Sequence, residues 1–245
     1  MTIYQSPFPK RRIGRWCDGG YAIADIPGIK YDILIAGGVC DDISFEEDFI
    51  RYQLESSNVV PVYAFDGTVT ELPKSIFQNQ IQFIPKNIGE NETTEITNLH
   101  TLLYPFTELP NSNIFVKMDI EGGEVDWIKS LRPEHMNTMA QIVMEFHSPF
   151  TNAEIDMFKK LNETHLPIHF HPNNACGTRI HNGVYFPNVF ECTYLHRRFF
   201  PDNKAELNRD YIPNDKVDVR NIGFKDEIWI GHPPFVHFEK FVRDL

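Results

Sequence analysis

The sequence predicts an α/β fold in which a mainly parallel sheet is covered on both faces. Three observations lead there. Short apolar runs alternate with segments of helical period along most of the 245 residues. Several of those runs are apolar at nearly every position, the pattern of strands buried on both sides. Four of the runs also end at glycines or polar groups, as strands do where an open sheet presents its carboxyl ends to a ligand.

The elements follow in order. Tyr31 to Ala36 reads as a strand ending at Gly37-Gly38, and Phe45 to Leu54 as a helix whose Phe45, Phe49, Ile50 and Leu54 share a face. Val59 to Phe65 is the next strand and ends at Asp66-Gly67. Ile81 to Pro85 is a third strand, Gly89 to Thr97 a polar surface loop, and Leu99 to Phe106 a short helix stopped near Pro105. Phe115 to Met118 is an apolar strand running into Asp119, followed by a Gly122-Gly123 turn and an amphipathic helix bounded by Pro133. Gln141 to His147 is another buried strand, and Asn152 to Leu161 a helix with Ile155, Phe158 and Leu161 inward. Late strands are expected at Ile168 to His171, Val184 to Phe186 and Val189 to Tyr194. With no long helix between the last two, they suggest an antiparallel edge. The segment after Arg198 is rich in Asp, Asn and Pro and reads as loop, with a short strand at Glu227 to Ile230.

The chain is long enough for one large α/β domain with a substantial core. A single domain over 1–245 is expected, with an N-terminal lead-in (1–30), a core (31–198) and a C-terminal extension (199–245). The net charge of −11 argues against a general nucleic-acid or anionic-membrane partner, and Lys10-Arg11-Arg12 is the one tight basic cluster. No apolar run approaches the roughly 20 residues of a membrane span. Met1 to Lys10 lacks the apolar core of a secretory signal. Cys17, Cys40, Cys176 and Cys192 are widely spaced, with no Cys-x-x-Cys pair, and read as reduced thiols of a cytoplasmic protein.

Four strand ends carry candidate chemistry. At the first, Gly37-Gly38 suits either a tight turn or close backbone approach to a ligand. The full G-x-G-x-x-G pattern is absent. At the second, Asp66 suits either an Asp-Gly turn or acceptance of a ribose diol. Together these two ends describe an adenosine-containing cofactor in the crevice. At the third, Asp119, Glu121 and Glu124 crowd three carboxylates into one turn. Glu124 and Asp126 are explained by a helix N-terminus, Asp119 is not. At the fourth, Glu145 and His147 lie two apart and point to one face. With Asp119 they suit a divalent ion bound by two oxygens and a nitrogen, or a base with its orienting carboxylate. A strand-end histidine bonded to a loop is the plain alternative for His147. His165, His169, His171 and His181, with Asn173 and Asn174, form a later group: each member alone reads as a surface-loop residue, and together they suit a polar wall for a hydroxyl-rich substrate. No G-x-S-x-G elbow, P-loop or H-E-x-x-H is present.

Lys117-Met-Asp119-Ile-Glu121-Gly122-Gly-Glu124 resembles the K-x-D-[IV]-E-G-x-E signature of FkbM-type S-adenosylmethionine-dependent O-methyltransferases. Around it, Asp18-Gly-Gly-Tyr21, Gly37-Gly38 with Asp42-Ile-Ser44-Phe-Glu46, Ala64-Phe-Asp66, Val143-Met-Glu145-Phe-His147 and Pro187-Asn-Val-Phe-Glu191 are similar, in order, to motifs of the related methyltransferase-like branch. The resemblance covers roughly residues 13 to 196. It implies a class I methyltransferase fold: a Rossmann-like three-layer sandwich whose seven-stranded sheet has an antiparallel last strand. It implies S-adenosyl-L-methionine as cofactor, with Gly37 and Gly38 near its methionine part, Asp66 on the ribose, and Asn87 and Ile88 near the adenine. Ile35-Ala36 replace the acid that usually opens the first motif, which shifts contacts there to Asp41, Asp42 or Ser44. The implied acceptor is a sugar hydroxyl on a glycan or glycolipid, with Asp119, Glu145 and His147 around it, holding a Mg²⁺- or Mn²⁺-like ion or using His147 as base. The competing expectations are a non-catalytic binding domain with a degenerate form of this fold, and a nucleotide-dependent oxidoreductase.

Overall fold

Alternation of side chains along three central strands divides the apolar residues of this protein between two faces of one sheet. A computed structural model describes residues 1–147, 152–181 and 183–238. It begins with a hairpin, β1 (Lys10–Ile13) and β2 (Tyr21–Ala24), then β3 (Ile33–Gly37), α1 (Ser44–Glu55), β4 (Val62–Phe65) and β5 (Ile81–Ile84). The two-residue strands β6 (Asn87–Ile88) and β7 (Ile96–Thr97) pair with each other, and α2 (His100–Thr107) and β8 (Ile114–Met118) follow. Next come α3 (Glu124–Ser130), α4 (Pro133–Thr138), β9 (Met139–His147), α5 (Asn152–Thr164) and β10 (His165–Pro172). A small hairpin, β11 (Thr178–His181) with β12 (Val184–Pro187), precedes β13 (Val189–His196).

The fold is α/β with a mixed seven-stranded sheet in the order β10-β13-β9-β8-β3-β4-β5. β3, β4, β5, β8 and β9 pair in parallel, whereas β13 is antiparallel to both of its neighbours, β9 and β10. Leu34, Ala36, Phe115 and Val143 face α1 and the N-terminal hairpin. Ile33, Ile35, Val116, Ile142 and Met144 face α2 to α5, where Trp127, Met136 and Leu161 complete the packing. Covering both faces leaves the carboxyl ends of β3, β4, β8 and β9 as the open side of the layer.

Several expected boundaries shift for local reasons. The second core strand begins at Val62, not Val59, because Pro61 has no N–H to give a ladder; Val59 is left 69% exposed. α2 runs through Pro105, which sits in the last turn and forfeits a single hydrogen bond. On α1 the inward face takes Glu46, Tyr52 and Gln53 with Phe45, Phe49 and Ile50, while Leu54 is 41% exposed. On α5 it is Met157 and Leu161 that are buried; Ile155, two residues from Met157 and so across the helix, faces solvent. Glu227 to Ile230 forms no strand, only an isolated bridge from Ile230 to Ile212.

The residues after 198 have little regular structure yet are firmly docked. Phe235 stacks within 5.3 Å of Phe170 and Phe186, ring centre to ring centre, and Asn208 bonds Ile3 through its backbone. Aromatic burial therefore fixes this segment over the β10–β13 side of the sheet. The four cysteines are free thiols. Among the described residues no helix is long and apolar enough to cross a membrane.

Candidate functional site

Polar groups converge where β3, β4, β8 and β9 end. Gly38 has φ +70°, and a Cβ there would lie 1.6 Å from the carbonyl oxygen of Asp119. Only glycine permits that approach. The two strand ends are tied further by Asp119 N–H donating to Gly37 O (3.1 Å) and by Lys117 Nζ donating to Gly38 O (2.8 Å). The loop beyond then passes through Cys40 in the left-handed region (φ +43°) before entering α1.

Between the ends of β3 and β4 lies a cleft of about 310 Å³, lined by Gly38, Phe65, Asp66, Asn87, Ile88 and Asp119 among others. Asp66 is buried; its Oδ2 accepts from Cys40 N–H (2.8 Å) and its Oδ1 from Thr68 N–H (2.7 Å). Burial works against its charge, but these bonds outweigh it and hold the carboxyl below its ordinary range. Asn87 Oδ1 accepts from Gly67 N–H at 3.2 Å. So Gly38, Asp66, Asn87 and Ile88 are brought together as expected for a cofactor cleft. Gly37 is packed beneath Ile88 and Met118, each 2.7 Å from where its Cβ would stand, so a side chain there would disturb the strand packing.

A second cavity, of about 200 Å³, shares Gly38, Cys40 and Asp119 with the first and is bounded also by Arg15, Asp42 and Glu46. Asp41 lines it and is exposed. Asp42 is spent on its own loop: Oδ1 accepts from Ser44 N–H (3.0 Å), Oδ2 from Ser44 Oγ (3.0 Å), and Arg15 Nε lies 2.6 Å away. Glu46, on the first turn of α1, is fully buried with neither carboxylate oxygen hydrogen-bonded. Burial raises its pKa to about 7, against the pull of Lys117.

The third feature is acidic. Ligand atoms of Asp119, Glu145 and His147 lie within 4.8 Å of one another, as do those of Asp18, Glu145 and Glu191. Glu145 and Glu191 stand directly opposite each other on the antiparallel pair β9–β13, and both are buried. Like charges in that register are destabilising. Burial, reinforced by Asp119 and Glu191, accordingly pushes the Glu145 carboxyl well above its ordinary range, despite the bond from Asn173 Nδ2 (2.7 Å). Tyr21 OH donates to Asp119 Oδ2 (3.0 Å), and Asn221 Nδ2 donates to both Asp18 (3.1 Å) and Glu191 (2.8 Å).

His147 is oriented by Glu124. That carboxylate, almost inaccessible, accepts from the Ile120 and Gly122 backbone N–H groups (3.3 Å each) and lies 3.2 Å from His147 Nδ1. With Nδ1–H on Glu124, Nε2 faces Asp119 (3.9 Å), Glu145 (3.7 Å) and Glu121 (3.4 Å). Burial opposes a charge on the ring, but Glu124, Asp119 and Glu121 prevail and raise its pKa. Glu121 itself is held in the left-handed region, φ +53°. Backbone strain thus flanks the cleft at Cys40 and Glu121.

The later histidines divide. His169 pairs with Asp218 (2.7 Å) and His171 with Glu191 (3.2 Å), so these two link β10 to the acidic cluster and the C-terminal segment. Asn173 reaches Glu145, while Asn174 holds the carbonyls of Ile222 and Lys225. His165 does not join them. A bulge between Pro167 and His169 breaks the alternation, and His165 Nε2 bonds Met139 O (2.9 Å) at the opposite end of the sheet. Among the described side chains, His165 therefore stands apart from His169 and His171, and the side chain of His181 lies outside the described residues. Tyr21 and Glu46 stand in segments that carry the family resemblance but were given no site role, and Asn221 was not singled out. Glu46 offers a further signal, an acid adjoining the apolar face of a helix that starts at a strand end. No protein-family model matches the chain, and no curated protein matches it.

Proposed function

We propose that this protein is an S-adenosylmethionine-dependent O-methyltransferase acting on a hydroxyl of a sugar in a glycan or glycolipid. The observation that carries the reading is the juxtaposition of a glycine-floored cleft (Gly38, Asp66, Asn87, Ile88) with a carboxylate-oriented histidine one strand away. The strand order adds support. Numbering the sheet's strands along the chain gives 3-2-1-4-5-7-6 with the seventh antiparallel, the arrangement expected of a class I methyltransferase.

Of the cleft residues, Asp66 lines the wall with Oδ1 bonded by the N–H and hydroxyl of Thr68 and Oδ2 by Cys40 N–H, bonds that a ribose diol would share or displace, and Asn87 and Ile88 flank it. When bound, S-adenosyl-L-methionine supplies an electrophilic methyl group. His147 Nε2 takes the proton of the acceptor hydroxyl, and Glu124 stabilises the imidazolium through Nδ1–H. Asp119 and Glu145 orient the acceptor, with Tyr21 and Asn173 fixing those carboxylates in turn. A divalent ion also fits the same donors. Asp119, Glu145 and His147 would hold it, their ligand atoms lying within 4.8 Å of one another. Bound there, Mg²⁺ or Mn²⁺ would acidify the hydroxyl. The sugar acceptor rests on family analogy together with the hydroxyl-binding character of Asn173, Asp119 and Glu145.

A second reading, a binding domain without turnover, is favoured by one observation: Asp42 and Asp66 are already engaged by their own loops. Transfer of labelled methyl from the cofactor to a panel of sugars and glycolipids tests the choice. The enzyme reading predicts transfer by the wild type and a loss of about 100-fold or more in folded His147→Ala and Asp119→Ala. Near-normal turnover in both variants would overturn the assigned roles, and no transfer to any acceptor despite cofactor binding would favour the binding domain.

A further inference from the structure

The methyltransferase reading leaves Glu46 unexplained. This side chain is fully buried on the first turn of α1, its two oxygens have no hydrogen-bond partner in any other described residue, and it lines the 200 Å³ cavity beside the cofactor cleft. An unpaired buried carboxylate is costly, and a fold has no reason to keep one unless something else completes it. Lys117 does not: its ammonium is committed to Gly38 O, and no ion pair with Glu46 forms. The other acids of the cavity are engaged or exposed. Asp42 is bonded by Ser44 and Arg15, Asp119 by Tyr21, Asp18 by Asn221, and Asp41 is open to water.

The cavity's position narrows the ligand. It meets the cofactor cleft at Gly38, Cys40 and Asp119, so one elongated molecule would occupy both spaces. The part reaching Glu46 must then be small and must present several hydrogen-bond donors with positive charge. A primary ammonium group meets that description.

Resting on the methyltransferase reading, we propose that Glu46 is the anchor for the α-ammonium group of the cofactor and selects adenosyl ligands that carry it. Sequence reasoning placed these contacts on Asp41, Asp42 or Ser44; the structure leaves Glu46 as the buried carboxylate with both oxygens available among the described residues. Its carboxyl, raised to about 7 by burial, would be held ionised by an ammonium beside it.

Calorimetric titration of the full chain tests this with three ligands: S-adenosylhomocysteine, its analogue lacking only the α-amino group, and 5′-methylthioadenosine. Wild type should prefer S-adenosylhomocysteine over the desamino analogue by about 10- to 100-fold, the worth of a charge-assisted bond. In Glu46→Gln that preference should collapse to about 3-fold, with 5′-methylthioadenosine binding unchanged. The wild-type analogue pair stands on its own if the variant does not fold. Equal wild-type affinity for S-adenosylhomocysteine and the desamino analogue would overturn the Glu46 assignment and leave the methyltransferase reading standing. So would a preference kept intact in Glu46→Gln, or equal weakening of all three ligands. Failure of wild type to bind any of the three would overturn the methyltransferase reading and this proposal with it.

Discussion

The two ends of the sheet differ in the buried polar groups they hold. At the amino ends these are mostly uncharged and several satisfy one another, although Gln80 Oε1, just before β5, has no partner among the described residues. Gln141 Oε1 accepts from Ala24 N–H (2.6 Å), and its Nε2 donates to Ala24 O (3.2 Å) and Tyr31 OH (2.8 Å). Gln53 accepts from Tyr31 N–H and from Asn58, and His165 lies between Met139 O and Thr164. At the carboxyl ends Glu46 is unpaired, Glu145 opposes Glu191, and His147 is drawn among four carboxylates. The proposed function places its ligand at the end that gathers the charge.

The comparison can be sharpened by substitution. Gly38→Ala should have the largest effect, about 4 kcal/mol or failure to fold, because its Cβ would collide with Asp119 O. Urea unfolding would measure it, and a loss below about 1 kcal/mol would show that the junction of β3 and β8 is softer than described. Gln141→Leu should cost about 3 kcal/mol by stranding Ala24 and Tyr31, with no change in the chemistry at the other end.

His165 predicts a pH dependence. Burial, with some help from His196, lowers its pKa to about 3. Between that value and the unfolded value of about 6.5, the unfolded chain binds a proton that the folded one refuses. Stability from this residue is therefore present above pH 6.5 and lost as pH falls toward 3, at no more than about 1.4 kcal/mol per unit. Unfolding midpoints at pH 7 and 5 should converge in His165→Gln relative to wild type.

Glu145→Gln should have the smallest effect on stability and the opposite sign. Burial, with Asp119 and Glu191 beside it, raises the pKa of this carboxyl in the folded chain, so its charged form costs stability that a glutamine does not. The variant should gain about 1 kcal/mol while losing ion binding and turnover. A clear destabilisation would break the contrast between the two ends.

How much was legible follows from the same physics. Period-two and period-3.6 patterns in β3, β8 and β9 placed Asp119, Glu145 and His147 at neighbouring strand ends, and there they converge. Apolar periodicity misled where polar residues face inward: it put Leu54 inside and overlooked Glu46 and Gln53. Asn221 lies in a segment without periodicity, fixed by aromatic packing at Phe235, so nothing local announced that it reaches Glu191. His165 was grouped with His169 and His171 because a bulge cannot be read from alternation.

The most direct test of the open end is calorimetric titration of the wild type with S-adenosylhomocysteine, in EDTA and again with added Mn²⁺. The account predicts micromolar binding in the cleft beside Asp66 and a further heat from Mn²⁺ that vanishes in Glu145→Gln. No binding of the nucleoside and no heat from the ion would contradict it.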